Sequence, residues 1–236
     1  MARNGFSGPA PKAPEARRRR NADPVETVKV SKQTYANVAA REDNYNPSWH
    51  PAAQLLYRSF SESAQSYLYE PSDWATLRIV IESASASLLR YEDRVSMDMA
   101  ASVIKGLEEF LTTEATRRRV RVELEKPEGL SWPEPEEYWA DLAADWYESL
   151  QRSGQAAFYQ STDVAFAYYM AEVITRYLGA GLKMSGRLLD VVMKGCTLLL
   201  ATEASRRIAQ MELTKVESNE MDEHITNLME AYASVV

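Results

Sequence analysis

The stretch PSWHPAAQLLYRSFSESAQSYLYEPSDWA, residues 47–75, sets the pattern that most of the chain follows. Apolar residues recur in it at spacings of three and four, which is the period of an amphipathic helix. Pro51 stands where a first helix can begin, because the N–H that proline lacks has no partner in the first turn. Ser72 and Asp73 predict the N-cap and first turn of a second helix, whose apolar stripe continues to Leu88.

A third helix is predicted from Ser96 to about Lys126, where the first of several prolines begins a linker. The pattern of these three helices then returns about 90 residues later. Residues 49–90 match residues 139–180 at 11 of 42 positions, and residues 103–124 match residues 192–213 at 11 of 22. Composition alone would give roughly three identities in the first block. The chain therefore contains an internal duplication of a unit about 85 residues long.

These patterns predict an all-α protein that contains two homologous three-helix units in tandem. Large and small apolar residues are exchanged between the second helices of the units, so either each unit packs its own core or the two pack against each other asymmetrically. Val25, Val28 and Val30 are spaced for one short strand. The expected divisions are a flexible basic arm and linker (1–46), a first unit (47–126), a Pro-rich linker (127–135), a second unit (136–216) and a C-terminal amphipathic helix (217–236).

The net charge of −7 hides an uneven distribution. Residues 1–20 hold six Lys/Arg and one Glu, a charge of +5, so the remaining residues hold 21 Lys/Arg and 33 Asp/Glu, a charge of −12. The single cysteine excludes an intramolecular disulfide and a cysteine-based zinc site. No apolar run reaches the roughly 18 residues of a membrane helix. The basic, Pro-rich start does not resemble a signal peptide, so a cytoplasmic protein is expected.

A search for enzyme chemistry finds no candidate, so neither catalysis nor a cofactor or metal is expected. The chain has no GxxxxGK[ST] or GxGxxG phosphate-binding loop. Its two histidines lack the Glu-x-x-His spacing of di-iron bundles. His50, directly before Pro51, is interpreted as a structural or capping residue, and His224 is placed on the exposed side of the last helix. Cys196 is interpreted as a small core residue.

Two groups of basic residues are candidates for contact with DNA phosphates. The first lies on the arm, where proline keeps the chain extended and four consecutive arginines can displace counterions from a nucleic acid; the alternative is a solvated tail. It comprises Lys12, Arg17, Arg18, Arg19 and Arg20. The second comprises Arg117, Arg118 and Arg121, for which the alternative is helix-stabilising pairing, since Glu114 precedes Arg118 by four residues.

A candidate partner-binding stripe lies on the C-terminal helix and comprises Ile225, Leu228, Met229 and Tyr232. Such a stripe can dock in the groove of a partner protein. It can equally be buried in the bundle of its own chain. The acidic segments around residues 134–137 and 217–223 also suit a protein-interaction scaffold.

Three motifs, in this order, resemble the small terminase subunit of actinobacteriophages. They are GPAPKAPEARRRRN (8–21), PSWHPAAQLLYRSFSESAQSYLYEPSDWA (47–75) and GLEEFLTTEATRRRVRVEL (106–124). The second unit repeats the pattern in weaker form, as WYESLQRSGQAAFYQSTDVA (146–165) and GCTLLLATEASRRIAQMEL (195–213). It lacks the His-Pro and Pro-Ser-Asp-Trp residues of the first.

The resemblance implies a non-catalytic component of a DNA-packaging motor. It implies binding of viral double-stranded DNA, assembly into a homo-oligomeric ring and delivery of DNA to the large terminase subunit. It also implies a place in the cytoplasm of the infected bacterial host, and not in the mature virion. No helix-turn-helix is evident in the sequence, so the arm is the preferred DNA contact. The alternative is an oligomeric scaffold or adaptor that does not bind DNA directly.

Overall fold

A computed structural model describes residues 28–30, 45–91, 93–125, 127 and 129–211. Over these ranges the chain is mostly helical, with eight α-helices and two short strands. The helices are α1 Pro51–Glu62, α2 Pro71–Leu89, α3 Met97–Glu108, α4 Glu114–Arg119, α5 Asp141–Arg152, α6 Ser161–Gly179, α7 Gly186–Leu198 and α8 Glu203–Ile208. The strands, β1 Val28–Val30 and β2 Val122–Leu124, pair in parallel. None of the helices within these ranges is long and apolar enough to span a membrane.

The order of elements repeats along the chain. Helix α1, a 3₁₀ helix at Ala64–Leu68 and helices α2 to α4 recur as α5, a 3₁₀ helix at Gly154–Phe158 and helices α6 to α8. The first three elements recur at an offset of 90 residues and the helix pair α4 and α8 at an offset of 89. The shift of one residue thus falls after α2, where the sequence comparison places it. Residues 49–124 are called the first copy below, residues 139–211 the second copy, and residues at these offsets counterparts.

The prediction of one long helix from Ser96 to Lys126 is wrong. Helix α3 is capped by Ser96 as expected, but it ends at Glu108. Leu111 has a left-handed backbone with φ 53°, which cannot continue a right-handed helix. Thr113 then caps the short helix α4 through a capping box with Thr116. The second copy breaks in the same way at Leu200, so each copy contains four α-helices instead of the three predicted.

The starts of α1 and α2 are governed by proline and by side-chain caps. The capping role of His50 is confirmed, because its Nδ1 atom accepts a hydrogen bond from Ala52 N at 3.2 Å. Burial lowers the pKa of His50, which favours the neutral ring that this bond requires. Ser72 is not the N-cap of α2. Pro71 occupies the first turn, Glu70 is the N-cap, and Asp73 accepts a hydrogen bond from Glu70 N at 2.8 Å.

Helix α6 lies at the centre of the molecule, and every residue from 162 to 174 is buried. The reason is that α5 and α7 pack on it from the second copy, while α1 packs on it from the first. Its counterpart α2 is buried mainly along the predicted stripe that includes Leu77, Ile81, Ala84 and Leu88. The two copies therefore pack against each other asymmetrically, which decides between the two alternatives left by the sequence.

The Lys-Gly pairs that recur in both copies lie where two helices approach closely. A Cβ atom at Gly106 would lie 3.0 Å from Val80 Cγ2, and one at Gly195 would clash with Met170 Cε. Val80 and Met170 are themselves counterparts. Glycine thus lets α3 approach α2 in the first copy and α7 approach α6 in the second.

The left-handed residue that follows the last helix of each copy permits a test of local strain. Gln210, with φ 54°, is exposed, so a substitution there changes little besides the backbone preference. We expect Gln210→Gly to raise the free energy of unfolding by about 1 kcal/mol, since glycine adopts this conformation without a steric penalty. Chemical denaturation measures the change. An unchanged or lower midpoint would contradict the assigned backbone conformation.

Candidate nucleic-acid interface

The predicted arm contacts Lys12, Arg17, Arg18, Arg19 and Arg20 lie outside the described residues, as does the stripe Ile225, Leu228, Met229 and Tyr232. Their roles therefore remain predictions. Of the basic residues singled out for DNA contact, Arg117, Arg118 and Arg121 fall within the described part of the chain, and the structure places these three in different environments.

Arg117 is completely buried, and all of its guanidinium nitrogens are bonded within the protein. Nη1 donates to the backbone carbonyls of Leu111 and Thr112, at 3.2 Å each. Nε and Nη2 donate to Glu114 Oε2 at 3.3 and 3.2 Å. A fifth hydrogen bond, from Nη2 to Asp163 Oδ2, spans 2.5 Å and joins the two copies.

Asp163 is the second-copy member of this buried cluster. Its carboxylate also accepts hydrogen bonds from Glu114 N at 2.7 Å and from Gln160 N at 2.8 Å. Burial raises the pKa of Asp163 above its usual value, while Arg117 and the two backbone N–H groups act in the opposite direction. Asp163 thus caps the start of α6 and holds the first copy against the second.

The prediction that Arg117 contacts DNA is wrong for this structure. A phosphate cannot reach a guanidinium group that is shielded from solvent and already bonded on every side. The sequence pattern placed Arg117 on one long helix together with Arg118 and Arg121 and did not separate the three by burial. The break at Leu111 instead turns α4 so that Arg117 faces the second copy.

Arg118 and Arg121 lie closer to solvent and line a cavity of about 560 Å³ at the boundary between the copies. The predicted pairing of Arg118 with Glu114 is confirmed, with Nε 2.7 Å from Glu114 Oε1. The Arg118 guanidinium also lies 5.0 Å from the ring centre of Phe158 in the second copy. Arg121 is exposed. These two residues remain candidates for phosphate contact, although Glu114 offsets the charge of Arg118.

A second buried charged cluster was not predicted from the sequence. Glu172 accepts hydrogen bonds from Trp139 Nε1 at 2.8 Å and from Tyr138 OH at 2.5 Å, and it forms an ion pair with Arg176. Arg176 in turn donates to Leu88 O of the first copy at 3.5 Å. The one signal in the sequence was the identity of Glu82 and Glu172 between the copies, which does not reveal that the second is buried.

Cys196 is buried in α7, as its sequence interpretation as a core residue requires. Burial raises the pKa of its thiol to about 11. We expect a thiol reagent at pH 8 to react roughly two hundredfold more slowly with the folded chain than with the unfolded chain, because the thiolate is the reacting form. The rate should rise about tenfold per pH unit up to about pH 11. A native rate close to the unfolded rate would contradict the burial.

Comparison with known proteins agrees with both the motifs and the duplication. A family model described as "Phage terminase small subunit" matches residues 6–131 and, a second time, residues 128–236. The chain belongs to the phage terminase small subunit family. The two matches cover the two copies in turn, and the first also includes the arginine-rich part of the arm. Membership of this family implies a role in the packaging of phage DNA.

Two relatives from mycobacteriophages are similar to part of the chain. The "Gene 5 protein" of Mycobacterium phage D29 is 29% identical over 127 residues, which are 52% of this chain and 81% of the relative. The "Gene 5 protein" of Mycobacterium phage L5 is 29% identical over 126 residues, with the same coverage. Each alignment thus covers most of the relative but only about half of this duplicated chain. No solved structure matches.

Proposed function

We propose that this chain binds viral double-stranded DNA through its N-terminal arm and delivers the DNA to the large terminase subunit. The observation that carries the proposal is the charge distribution, +5 on residues 1–20 against −12 on the rest of the chain. An acidic body repels DNA, so binding must be concentrated where positive charge is clustered.

Family membership supports this proposal, because small terminase subunits are generally non-catalytic members of packaging motors. We propose the same division of labour here, in which another subunit supplies the catalysis and this chain supplies DNA contact. The protein partners would be the large terminase subunit and further copies of the same chain, arranged in a ring. It would act in the cytoplasm of the infected host and be absent from the mature virion.

Within the body, Arg118 and Arg121 are proposed as secondary phosphate contacts. They lie close together on the same side of the first copy and border an open cavity. Their contribution should be smaller than that of the arm, because Glu114 already pairs with Arg118 at 2.7 Å. The counterparts of Arg119 and Arg121 in the second copy are Ile208 and Gln210, so the second copy offers fewer positive charges.

The test compares DNA binding by two variants with the same change in net charge. Substituting Gln for Arg17, Arg18, Arg19 and Arg20 should weaken binding to phage DNA by about two orders of magnitude at low salt, because four phosphate contacts are lost. The control substitutes Gln for four exposed arginines of the body: Arg90, Arg94, Arg152 and Arg187. It should bind almost as the unchanged chain does, in an equilibrium assay such as fluorescence anisotropy.

Equal loss in the two variants would mean that DNA responds only to net charge and would contradict a specific role for the arm. Unchanged binding in the arm variant would also contradict it. An absence of DNA binding by the unchanged chain would favour the alternative, an adaptor without direct DNA contact. In that case the stripe Ile225, Leu228, Met229 and Tyr232 becomes the first surface to test. A chain that ends near Lys215 lacks this stripe, and capture of the large subunit by that chain would contradict the stripe as the docking site.

A further inference from the structure

The contact between the two copies is asymmetric. Arg117 and Gln65 of the first copy bond to Asp163 and Thr162 of the second, Gln65 Nε2 donating to Thr162 Oγ1 at 3.0 Å. A symmetric contact would also join their counterparts, Arg206 and Gln155, to Asp73 and Ser72. These bonds are not formed, since Arg206 Nη2 donates instead to Glu203, and Asp73 accepts from its own helix start. The copies are therefore joined head to tail.

Such a contact leaves one surface of each copy uncovered by the other described residues: the acceptor surface of the first copy and the donor surface of the second. The acceptor surface of the second copy lies on α6, where Thr162 bonds to Gln65, Asp163 bonds to Arg117, and Tyr169 OH lies 3.3 Å from Ser87 Oγ of α2. Its counterpart on α2 is not covered in this way. Ser72 is exposed, Asp73 is partly exposed, and Ile79, the counterpart of the buried Tyr169, is 67% exposed.

The donor surface, formed by α1, Gln65 and Arg117 in the first copy and by α5, Gln155 and Arg206 in the second, shows the opposite arrangement. Helix α1 packs on α6 and its Ala52 is fully buried, whereas the counterpart Leu142 on α5 is 63% exposed. Arg206 keeps the orientation of Arg117, because Nη1 donates to Leu200 O at 3.1 Å, as Arg117 does to Leu111 O. Within the described part of the chain it has no second carboxylate partner of the kind that Arg117 has in Asp163.

Two polar atoms of the donor surface are buried and have no hydrogen-bond partner among residues 45–211 that the structure describes: Gln155 Oε1 and Arg206 Nε. Both belong to residues whose counterparts, Gln65 and Arg117, bond across the contact between the copies. In Gln65 the Oε1 atom accepts from Ser63 Oγ, and in Arg117 the Nε atom donates to Glu114. The atoms that bond across the contact are Gln65 Nε2 and Arg117 Nη2, so the two unmet atoms lie on the corresponding residues but beside the bonding atoms.

We propose that the occupant of these two surfaces is a second copy of this chain, so that the donor surface of one chain binds the α2 surface of the next. Arg206 of one chain would pair with Asp73 of its neighbour, and Leu142 would lie among the apolar residues around Ile79. The argument is continuity with the internal contact, whose partners these residues repeat. A head-to-tail contact closes into a ring or continues as a filament, according to the rotation per step. The proposal does not depend on DNA binding.

Charged substitutions at the exposed apolar positions test the contact with little risk to folding. Ile79→Glu and Leu142→Glu each place a charge in the proposed contact, and we expect self-association at least about tenfold weaker. The matched control is Ile208→Glu, at a position 83% exposed. Its counterpart Arg119 stays 61% exposed beside the internal contact, so Ile208 should lie outside the repeated one. Native mass spectrometry and light scattering measure the number of chains.

A charge exchange then shows that the contact joins different chains. Asp73→Arg and Arg206→Glu should each weaken assembly, because each variant brings two like charges together. Mixing the two variants should restore assembly. When the two kinds of chain alternate, the introduced arginine meets the introduced glutamate at one contact, and the unchanged Asp73 meets the unchanged Arg206 at the next. Circular dichroism confirms that Asp73→Arg still folds, as Asp73 also bonds at the start of α2. If Asp73→Arg does not fold, the variants Ile79→Glu and Leu142→Glu test the contact in its place.

Several outcomes would overturn the proposal. A wild-type chain that stays monomeric at every concentration would do so, as would unchanged assembly in both Ile79→Glu and Leu142→Glu. If a chain that carries both Asp73→Arg and Arg206→Glu assembles, but a mixture of the two single variants does not, then Asp73 and Arg206 pair within one chain. Lower stability of the monomer in Ile79→Glu or Leu142→Glu, with unchanged mass, would mean that another segment of the same chain covers these surfaces.

Discussion

Replacing Arg117 by methionine is expected to lower the free energy of unfolding by about 3–5 kcal/mol. The substitution removes the cation that lies 2.5 Å from Asp163 Oδ2 and leaves a buried carboxylate without its partner. It also removes one hydrogen bond from each of the carbonyl groups of Leu111 and Thr112, although Gln65 Nε2 still donates to Leu111 O at 3.2 Å. Chemical denaturation followed by circular dichroism measures the change.

The counterpart Arg206 provides the control for this prediction. Among the described residues the carboxylate that pairs with Arg206 is that of Glu203, which is exposed, so Arg206→Met should cost about 1 kcal/mol or less. Both variants must be compared in the same oligomeric state, because Arg206 also lies on the proposed contact between chains. Equal losses in the two variants would show that Arg117 is not buried between the copies.

A second large effect is expected from Glu172→Ala. Glu172 is buried and neutralises Arg176, which is itself almost fully buried, so its removal leaves an unpaired cation in the interior. Trp139 Nε1 and Tyr138 OH lose their acceptor in the same step. We expect a loss of about 3–5 kcal/mol in the free energy of unfolding.

The corresponding change in the first copy, Glu82→Ala, should alter the free energy of unfolding by no more than about 0.5 kcal/mol, because Glu82 is exposed on α2. The pair of variants compares the same residue type at the same position of the repeat. A substantial loss in Glu82→Ala, or a negligible one in Glu172→Ala, would contradict the asymmetric packing of the copies.

Much of the fold could be predicted from apolar periodicity and self-similarity. The stripe of α2, the capping role of His50 and the duplication with its single-residue shift all follow from local spacing. The break after α3 did not, because Leu111 is not a residue type that signals a left-handed backbone. Thr113 and Thr116, which cap α4, lie within a run that otherwise reads as continuous helix.

The charged clusters were harder to predict, for a physical reason. Asp73 and Asp163 are identical and equally placed at helix starts, yet one faces solvent and the other pairs with Arg117. Which of the two aspartates is buried depends on how the copies pack. Identical residues in an internal repeat carry no direct signal of that packing. The same limit led to Arg117 being predicted as a DNA contact, since a surface arginine and a buried one look alike in sequence.

The dependence of DNA affinity on salt concentration is the most direct measurement of the proposed function. The logarithm of the binding constant should fall linearly with the logarithm of salt concentration, with a slope set by the number of phosphates neutralised. Substituting Gln for Arg17, Arg18, Arg19 and Arg20 should make that slope shallower by about three to four. Parallel lines for the unchanged chain and the variant would show that the arm does not contact the DNA backbone.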